Sequence, residues 1–434
     1  MAITIIKKPH QISPNGNLNI WMFTSDNPNL IYCVLTMYNA TNNNIIAKKK
    51  VFKTPMTNYL STSVTGVLEN ITESVLYDLG DLITLSNLPA YNVTIQEYTQ
   101  DNNNNVQAGD ITIVAGTFFT FEGEINPLYF STYNSDNYNI NSNTKAKFLT
   151  NSDSVKTITN KQKEYLKIFD VNKLARKINI SLYDGDNDLI VSTSLEIVEN
   201  NSKNVINIVA SPAVIFALDS IKNNEDLELV EKYRIVLTDA NNNEITESRV
   251  YNLVEGCEKK EKNIIYKNSI GGWDSILMYN TTETLGTAKT YLNTSISKNN
   301  EYSKDNKFFG KKELIDTNNT YTYTATTQYL TDYESVCCKE LIISNKVYIS
   351  IFNYFAEISI DNKTYKVLLK QNNGYKANRL ELQYTASFSL LFVQSQLNAN
   401  DIIFNNNPQL VNYLQVKDAE YVVTSALSNI TMKY

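Results

Sequence analysis

Residues 31–38 read Ile-Tyr-Cys-Val-Leu-Thr-Met-Tyr, and this stretch decides the fold class. Ile31, Cys33, Leu35 and Met37 fall on alternate positions, with mostly polar or aromatic residues between them. Strict alternation places one set of side chains on each face of a β-strand, whereas a helix would need a spacing of three and four. The stretch therefore predicts a strand with one face in a core.

The same alternation recurs along the chain. It is seen at 91–95, 178–182, 233–237 and 380–384, with clusters of Asn, Asp and Gly between several of these stretches, and after the loop at 239–243 the chain returns through 244–250. Alternating strands separated by turn residues are typical of antiparallel sheets that pack in pairs. The sequence predicts a mainly β protein of tandem antiparallel β-sandwich-like domains with a few short helices.

Three short helices are predicted. Ser211-Pro212 has the form of a cap followed by Pro in the first helical turn, and 331–334 has the form of a capping box. A third helix is predicted to begin at Asn407-Pro408.

Two polar stretches, 131–143 and 255–263, are predicted to separate domains. They give an N-terminal β domain at 1–125, a second β-sandwich domain at 145–256 and a β-rich α+β domain at 264–434.

The composition is strongly biased toward Asn and Tyr, with about 60 Asn and 29 Tyr among 434 residues. A/T-rich codons supply this same bias, so part of it reflects the genome rather than function. The sequence contains a single histidine, His10. This excludes most classes of hydrolase and His-ligated metal site, because these need well-placed imidazole side chains. We predict no catalytic, cofactor-binding or metal site, and no cofactor.

Four cysteines are present, namely Cys33, Cys257, Cys337 and Cys338. The sequence holds no C-x-x-C pair, and adjacent residues on a helix diverge, so we expect neither a zinc site nor a disulfide. We also expect no signal peptide, no membrane-spanning segment and, at a net charge of -6, no electrostatic grip on nucleic acid. This pattern suits a reducing compartment.

The segment Asp184-Gly185-Asp186-Asn187-Asp188 has two interpretations. Carboxylates at alternate positions can surround calcium, but Leu189 and Leu195 hold the positions where an EF-hand needs Gly and a bidentate Glu. We favour a hairpin turn seeded by Asp-Gly.

Two further groups are interpreted as structural. Lys48-Lys49-Lys50 and the basic run at 259–262 are expected to be solvated surface rather than phosphate sites. Glu122-Gly123-Glu124 could supply a glycosidase pair only at a defined separation, so catalysis there is the lesser hypothesis.

The most distinctive segment is Asn268-Ser269-Ile270-Gly271-Gly272-Trp273-Asp274, directly after a predicted strand. It predicts a tight turn that needs positive φ, with the Trp folded over the end of a sandwich. A plain hairpin with a core Trp is the simpler interpretation.

Over 145–392 the chain resembles structural proteins of tailed phages that infect Bacteroidetes, including the crAss-like phages. The resemblance is carried by Cys257, by the structural motif Asn268, Gly271, Gly272, Trp273 and Asp274, by the helix at 331–340, and by the Tyr-containing strands at 344–348, 364–367 and 380–384.

The resemblance implies a non-enzymatic virion protein, a subunit of a tail ring, collar, hub or adaptor around the DNA conduit. Its implied partners are further copies of itself in a ring and other tail or portal proteins, with no sequence-specific nucleic-acid binding and no membrane. The implied location is the virion tail, after assembly in the bacterial cytoplasm. Two alternatives stay open: a carbohydrate-binding or adhesin β module that uses surface Tyr and Trp rings, tested by substitution of Trp21 and Trp273, and a tail-borne glycosidase.

Overall fold

The computed structural model describes residues 3–54, 57–72, 75–76, 81–101, 104–197, 203–254, 261–293, 312–327, 330, 332–351, 354–361, 367–372 and 375–386. By its internal contacts the chain divides into two compact units. The first comprises Met1–Gly256, Ile265–Ser275 and Ile343–Asn345, and the second comprises Cys257–Ile264, Ile276–Ile342 and Lys346–Tyr434. The predicted domains 1–125 and 145–256 thus lie together in the first unit, and their separation stays a prediction.

Strands dominate the described residues, which confirms the predicted mainly β class. The N-terminal elements are β1 (Ile3–Lys7), β2 (Ile12–Pro14), β3 (Ile20–Ser25), β4 (Leu30–Asn39), β5 (Ile45–Phe52), β6 (Leu60–Ser63), α1 (Thr65–Glu69), β7 (Ile83–Ser86), β8 (Ala90–Gln100), β9 (Val106–Ile113), β10 (Phe118–Phe121) and α2 (Pro127–Phe130). The next are β11 (Val155–Thr159), β12 (Tyr165–Phe169), β13 (Lys177–Tyr183), β14 (Leu189–Glu196), β15 (Val205–Val209), α3 (Pro212–Phe216), β16 (Lys232–Thr238) and β17 (Arg249–Val254), with 3₁₀ helices at Ser135–Asn137 and Glu225–Leu229.

The last elements are β18 (Lys262–Lys267), β19 (Trp273–Asn293), β20 (Lys312–Thr327), α4 (Asp332–Ile343), β21 (Val347–Ile351), β22 (Tyr354–Glu357), β23 (Ser359–Ile360), β24 (Val367–Asn372) and β25 (Tyr375–Ala386). They form a sheet of order β22-β21-β18-β19-β20-β25-β23, with β24 beside β25. Stacked Tyr323 and Tyr384, with ring centroids 5.1 Å apart, lie opposite each other on β20 and β25.

The first unit contains two sandwiches. In one, sheet β1-β3-β6 shares a core with sheet β2-β10-β8-β4-β5, whose strand β8 also pairs with β9. In the other, sheet β11-β17-β16-β13-β14 shares a core with sheet β12-β15-β7. Pairing is antiparallel as predicted, apart from the parallel pairs β2–β10 and β11–β17.

The alternation of the sequence explains the first core. Cys33, Leu35 and Met37 on β4 are fully buried, and so are Trp21 and Phe23 on β3. One strand departs from the predicted boundary at 125. By sequence β7 belongs to the first domain, yet it pairs with β15 along Ile83–Ser86, within the second sandwich.

Asparagine serves a specific backbone role in the turns. Of six described non-Gly residues with positive φ, five are Asn, namely Asn43, Asn104, Asn187, Asn242 and Asn280. Asn tolerates the left-handed region because its short amide bonds to the local backbone. Four of these five, all but Asn280 of β19, lie in the turns between strands, so part of the Asn content serves the geometry of the turns.

Two predicted helices are confirmed as α3 and α4. The helix α3 begins at Pro212, but the Ser211 hydroxyl does not cap it and instead accepts a hydrogen bond from the Glu164 backbone N–H over 2.9 Å. Thr331 and the predicted third helix at 407–414 lie outside the described residues.

Candidate functional site

The 268–274 segment folds as the tight turn that the sequence predicts. The Gly271 N–H donates to the Asn268 carbonyl over 3.2 Å, and the Asn268 N–H donates to the Gly272 carbonyl over 3.1 Å. The Asn268 side-chain oxygen also accepts from the Gly272 N–H over 2.8 Å. Gly271 has a φ of +86°, a conformation that favours glycine.

Both glycines are also required because atoms of other segments lie too close to leave room for a Cβ. A Cβ at position 271 would lie 2.4 Å from a ring carbon of Phe121. A Cβ at position 272 would lie 1.7 Å from the carbonyl oxygen of Leu149. No side chain fits at either position, so Gly271 and Gly272 let the turn pack directly against two other segments of the first unit.

Asp274 and Asn268 bind the loop that follows Phe148. The Asp274 carboxylate accepts from the Thr150 hydroxyl, from the Asn151 N–H over 3.3 Å and from the Asn268 side-chain amide over 2.9 Å. The Asn268 amide donates to the Leu149 carbonyl over 3.0 Å as well. Asp274 is 4% exposed, and its bond to Asn268 is buried, whereas its bonds to Thr150 and Asn151 are partly buried.

The same loop is held from its other side by Arg249 of β17. The Arg249 guanidinium donates to the Ser152 carbonyl over 3.1 Å and to the Ser152 hydroxyl over 2.6 Å. Arg249 is 2% exposed and lies 3.7 Å from Glu247. The turn therefore joins segments from all three predicted domains: Phe121 from the first, 149–152 from the second and its own residues from the third.

A small apolar core accompanies this junction. Its buried members are Ile12, Leu88, Phe121, Ile125, Tyr133, Leu149, Phe169, Val205 and Ile270. Tyr133 lies within 131–143, which we predicted as a linker, and its hydroxyl donates to the Ile12 carbonyl over 3.1 Å. The predicted linker is thus packed into the first unit at this point.

Three charged side chains surround the turn. Lys267 forms an ion pair with Glu122 at 2.7 Å, and Lys167 donates to the Gly271 carbonyl over 3.0 Å. Lys167 is half-buried as a whole residue, yet desolvation of its ammonium group, together with the charge of Lys267, lowers its pKa to about 8. The Glu122 carboxylate opposes this shift.

A second polar cluster lies beside it, at the start of β19. Lys156 and Glu164 form an ion pair at 2.7 Å in which Glu164 has 5% and Lys156 has 14% of its side chain exposed. Glu164 also accepts from Gln162 over 2.7 Å and from the Ser275 hydroxyl. These side chains bond to one another, which suits a structural joint rather than a reactive group.

Both tryptophans are buried, Trp21 fully and Trp273 to 4% exposure. The Trp273 indole N–H donates to the Val75 carbonyl over 3.3 Å. The burial predicted for Trp273 is confirmed. The carbohydrate-binding alternative drew on surface Tyr and Trp rings; neither tryptophan offers an exposed ring, and the alternative otherwise stays a prediction.

The remaining predicted positions are placed as follows. Cys257 lies outside the described residues. His10 contacts the rings of Phe130 and Tyr133, and partial burial lowers its pKa. Burial raises the pKa of the Cys33 thiol to about 12. The Asp184 carboxylate accepts from the backbone of residues 186 and 188, as a hairpin turn requires.

Three findings concern ligands and membranes. In the part of the chain that the structure describes, no group of three His, Cys, Asp or Glu side chains is arranged to hold a metal. Glu122, one half of the glycosidase hypothesis, pairs with Lys267. No described helix has the length and apolar character needed to cross a bilayer.

Sequence reasoning missed Lys167, Glu164 and Arg249. A signal existed for Lys167, which interrupts the apolar run Tyr165-Leu166-Lys167-Ile168-Phe169 on β12. A charged residue inside such a run indicates a buried charge that needs a partner. Glu164 and Arg249 carry no comparable signal.

The second unit contains a long two-stranded arm, which we define as residues 286–293 of β19 and their partners at 312–320 of β20. Within the described residues no third strand pairs with this part, whereas at its base the β20 residues Tyr321 and Thr322 also pair with β25. All eight residues from Thr284 to Tyr291 are exposed, including Leu285 at 53% and Tyr291 at 48%. Successive strand residues point to opposite faces, so both faces of β19 are open here. Leu314 on β20, directly opposite Tyr291, is also 48% exposed.

No family model matches this chain, and no curated protein matches its sequence. Among solved structures, one chain of the complex of Dpr2 Ig1-Ig2 with DIP-Theta Ig1-Ig3 is similar over 59% of this chain and all of its own length, at 10% identity. The TM-score is 0.14, too low for the two chains to superpose as wholes, so this similarity carries no conclusion about function.

Proposed function

We propose that this chain is a structural subunit of a bacteriophage tail, part of a ring, collar or hub around the DNA conduit. It acts through contacts with further copies of itself and with other tail or portal proteins, and not through catalysis. The resemblance at Asn268, Gly271, Gly272, Trp273 and Asp274 suggested this class, and the structure supplies a physical reason for it.

The observation that carries the proposal is the two-stranded arm. Two-stranded ribbons are marginally stable in water, because they bury little apolar surface and expose backbone groups. An arm of about eight residue pairs, roughly 27 Å long at the usual rise per strand residue, gains stability once a neighbour covers it. Exposed Leu314 in the arm and Leu285 at its base are the residues that such a neighbour would cover.

The packed turn supports the same function. Hydrogen bonds of Asn268 and Asp274 fix the turn to the 149–151 loop, and the close approach of Gly271 packs it against Phe121. A subunit that repeats around an axis must keep its shape under load, and a fully bonded polar joint resists local opening. The net charge of -6 would let DNA pass through a ring without being held.

The experiment is multi-angle light scattering of the purified full chain over a range of concentrations, beside a Leu285→Asp, Leu314→Asp variant. We expect the native chain to form an oligomer of fixed size, and the arm variant to need at least tenfold more protein to do so. Leu189→Asp is the matched control, since Leu189 is 57% exposed at a different hairpin. A native chain that stays monomeric at every concentration contradicts the proposal.

A further inference from the structure

In the first unit, the sheet β2-β10-β8-β4-β5, with β9 beside β8, has two open edges of opposite chemistry. Its strands β9, β8, β4 and β5 lie side by side, and β9 and β5 are the outer strands of this part of the sheet. On the β9 side, β10 and β2 continue the sheet beside the start of β8, at Ala90 and Tyr91. Within the described residues β9 pairs with β8 alone, and β5 pairs with β4, with one bridge between Lys53 and Leu60 just past its end. Both strands therefore carry backbone groups available to another strand.

The β5 edge is protected by charge. It contains no acidic residue and carries the exposed Lys48 and Lys50, while the half-buried Lys49 between them donates to the Ser63 carbonyl of β6. Lysines on an edge strand hinder pairing with a like strand, because the charges repel and must be desolvated. Lys50 also lies 3.7 Å from the ring centroid of Tyr32, which keeps its charge above the outer face of the sheet.

The β9 edge has no such protection. It contains no Lys, Arg or Pro, and its one charged residue is Asp110. Val106 is 53%, Ile111 is 59% and Ile113 is 77% exposed. A bulge at Gly109 and Asp110 divides the strand, since both lie between the registered pairs of Gln96 and Tyr98. Exposed apolar residues on an open edge indicate a strand that is covered in the assembled state.

The strand directions allow the two edges to meet. Pairing between neighbours is antiparallel at each of the three steps from β9 to β5, so β9 and β5 run in opposite directions. A second copy placed beside the first, with only a small rotation, would bring its β5 antiparallel to the first copy's β9. Such head-to-tail contacts close into rings when the rotation divides a full turn.

Resting on the proposed function, we propose that neighbouring copies of this chain join head to tail by pairing strand β9 of one copy with strand β5 of the next. In this contact the lysines of β5 lie beside the edge that holds Asp110, of opposite charge. Repulsion between lysines disfavours the pairing of two β5 edges. The sheet continues from copy to copy, and the backbone supplies most of the affinity.

Disulfide trapping between two differently tagged chains tests this contact. One chain carries Ile111→Cys or Ile113→Cys, and the other carries Lys48→Cys or Lys50→Cys; each pairing is co-expressed and oxidised. We expect a cross-linked heterodimer in at least one pairing, in tenfold excess over a control in which Leu189→Cys replaces the β5 variant. The unmodified chain sets the background from its native cysteines.

Three outcomes separate the possibilities. A cross-link in chains that carry Ile113→Cys alone, with none to β5, indicates a two-fold β9–β9 contact and overturns the proposal. If the native chain assembles by light scattering but no pairing cross-links, the head-to-tail contact is wrong while the proposed function stands. If the native chain never assembles, the proposed function fails first, and the contact fails with it.

A substitution gives an independent measurement. Ile111→Lys together with Ile113→Lys gives the β9 edge lysines like those of β5. We expect this variant to need at least tenfold more protein to assemble, with an unchanged circular dichroism spectrum. The Leu189→Lys variant is expected to assemble as the native chain does. Native assembly by the double Lys variant overturns the proposal.

Discussion

The carbonyl oxygen of Leu149 lies 1.7 Å from the point where a side chain at Gly272 would begin, and it accepts a hydrogen bond from Asn268 over 3.0 Å. Gly272 is thus required by the backbone of another segment, and not by its own turn alone. This contact explains why the turn contains two glycines where one positive φ would need only one.

Gly272→Ala is expected to destabilise the first unit by more than about 3 kcal/mol, because the loop at Leu149 must move and give up its bond to Asn268. Thermal unfolding checks it. Gly116→Ala is the matched control: Gly116 has a φ of +97° and nothing within 4 Å of an added Cβ. It should cost about 1 kcal/mol, from backbone strain alone. Equal losses at the two positions would show that the contact with Leu149 has no role.

Asp274→Ala is expected to cost about 2–4 kcal/mol, because it removes the carboxylate that accepts from the Thr150 hydroxyl, the Asn151 N–H and the Asn268 amide. Urea unfolding measures the loss. The exposed Asp186→Ala is the control and should change stability by less than about 0.5 kcal/mol. If Asp274→Ala unfolds at the native urea midpoint, the turn does not hold the 149–152 loop.

We predict that substitutions of Lys156 and Glu164 have non-additive effects on the free energy of unfolding. Glu164→Leu leaves a buried ammonium beside Gln162 and Ser275 and should cost about 3–5 kcal/mol. Adding Lys156→Met removes that charge, while Gln162 and Ser275 still bond to each other over 3.1 Å. We expect the double variant to recover more than half of the loss in a double-mutant cycle. A double variant at least as unstable as the single one would contradict this.

The lowered pKa of Lys167 predicts that the free energy of unfolding depends on pH. Its pKa is lowered from 10.5 to about 8 in the folded chain, so between these values the unfolded chain binds a proton that the folded chain does not. The free energy of unfolding contributed by Lys167 therefore rises with pH from about 8 toward 10.5, and it is constant below 8.

The difference between the native chain and Lys167→Met isolates this effect. Urea unfolding at pH 7.0, 8.0, 9.0 and 9.5 should show the native chain gaining stability relative to Lys167→Met as pH rises (the pH values are chosen to span the window). The exposed Lys48→Met variant should track the native chain. Parallel curves for the native chain and Lys167→Met would place the ammonium of Lys167 in solvent.

The sequence predicted what depends on local pattern. Alternation at 31–38 correctly predicted β4 with Cys33, Leu35 and Met37 inside, and Asp184-Gly185 correctly predicted a hairpin turn. The Gly271-Gly272 turn was predicted because positive φ is a local requirement.

What the sequence could not supply depends on contacts between distant segments. The pairing of β7 with β15, about 120 residues later, has no local signal, because an alternating strand fits any sheet with an open edge. Glu164 and Arg249 appear as ordinary surface residues until their partners Ser275 and Ser152 are placed beside them. The role of Gly272 likewise depends on where Leu149 lies.

If the proposed function holds, a phage genome encodes this chain, and the most direct test is immunogold electron microscopy of virions purified from cells infected with a phage that carries this sequence, with antibodies raised against the purified protein. We predict label on the tail of each particle and, in an averaged reconstruction, copies of the β-sandwich unit repeated around the tail axis. Absence of the chain from purified particles, while it accumulates in the infected cells, would contradict the account.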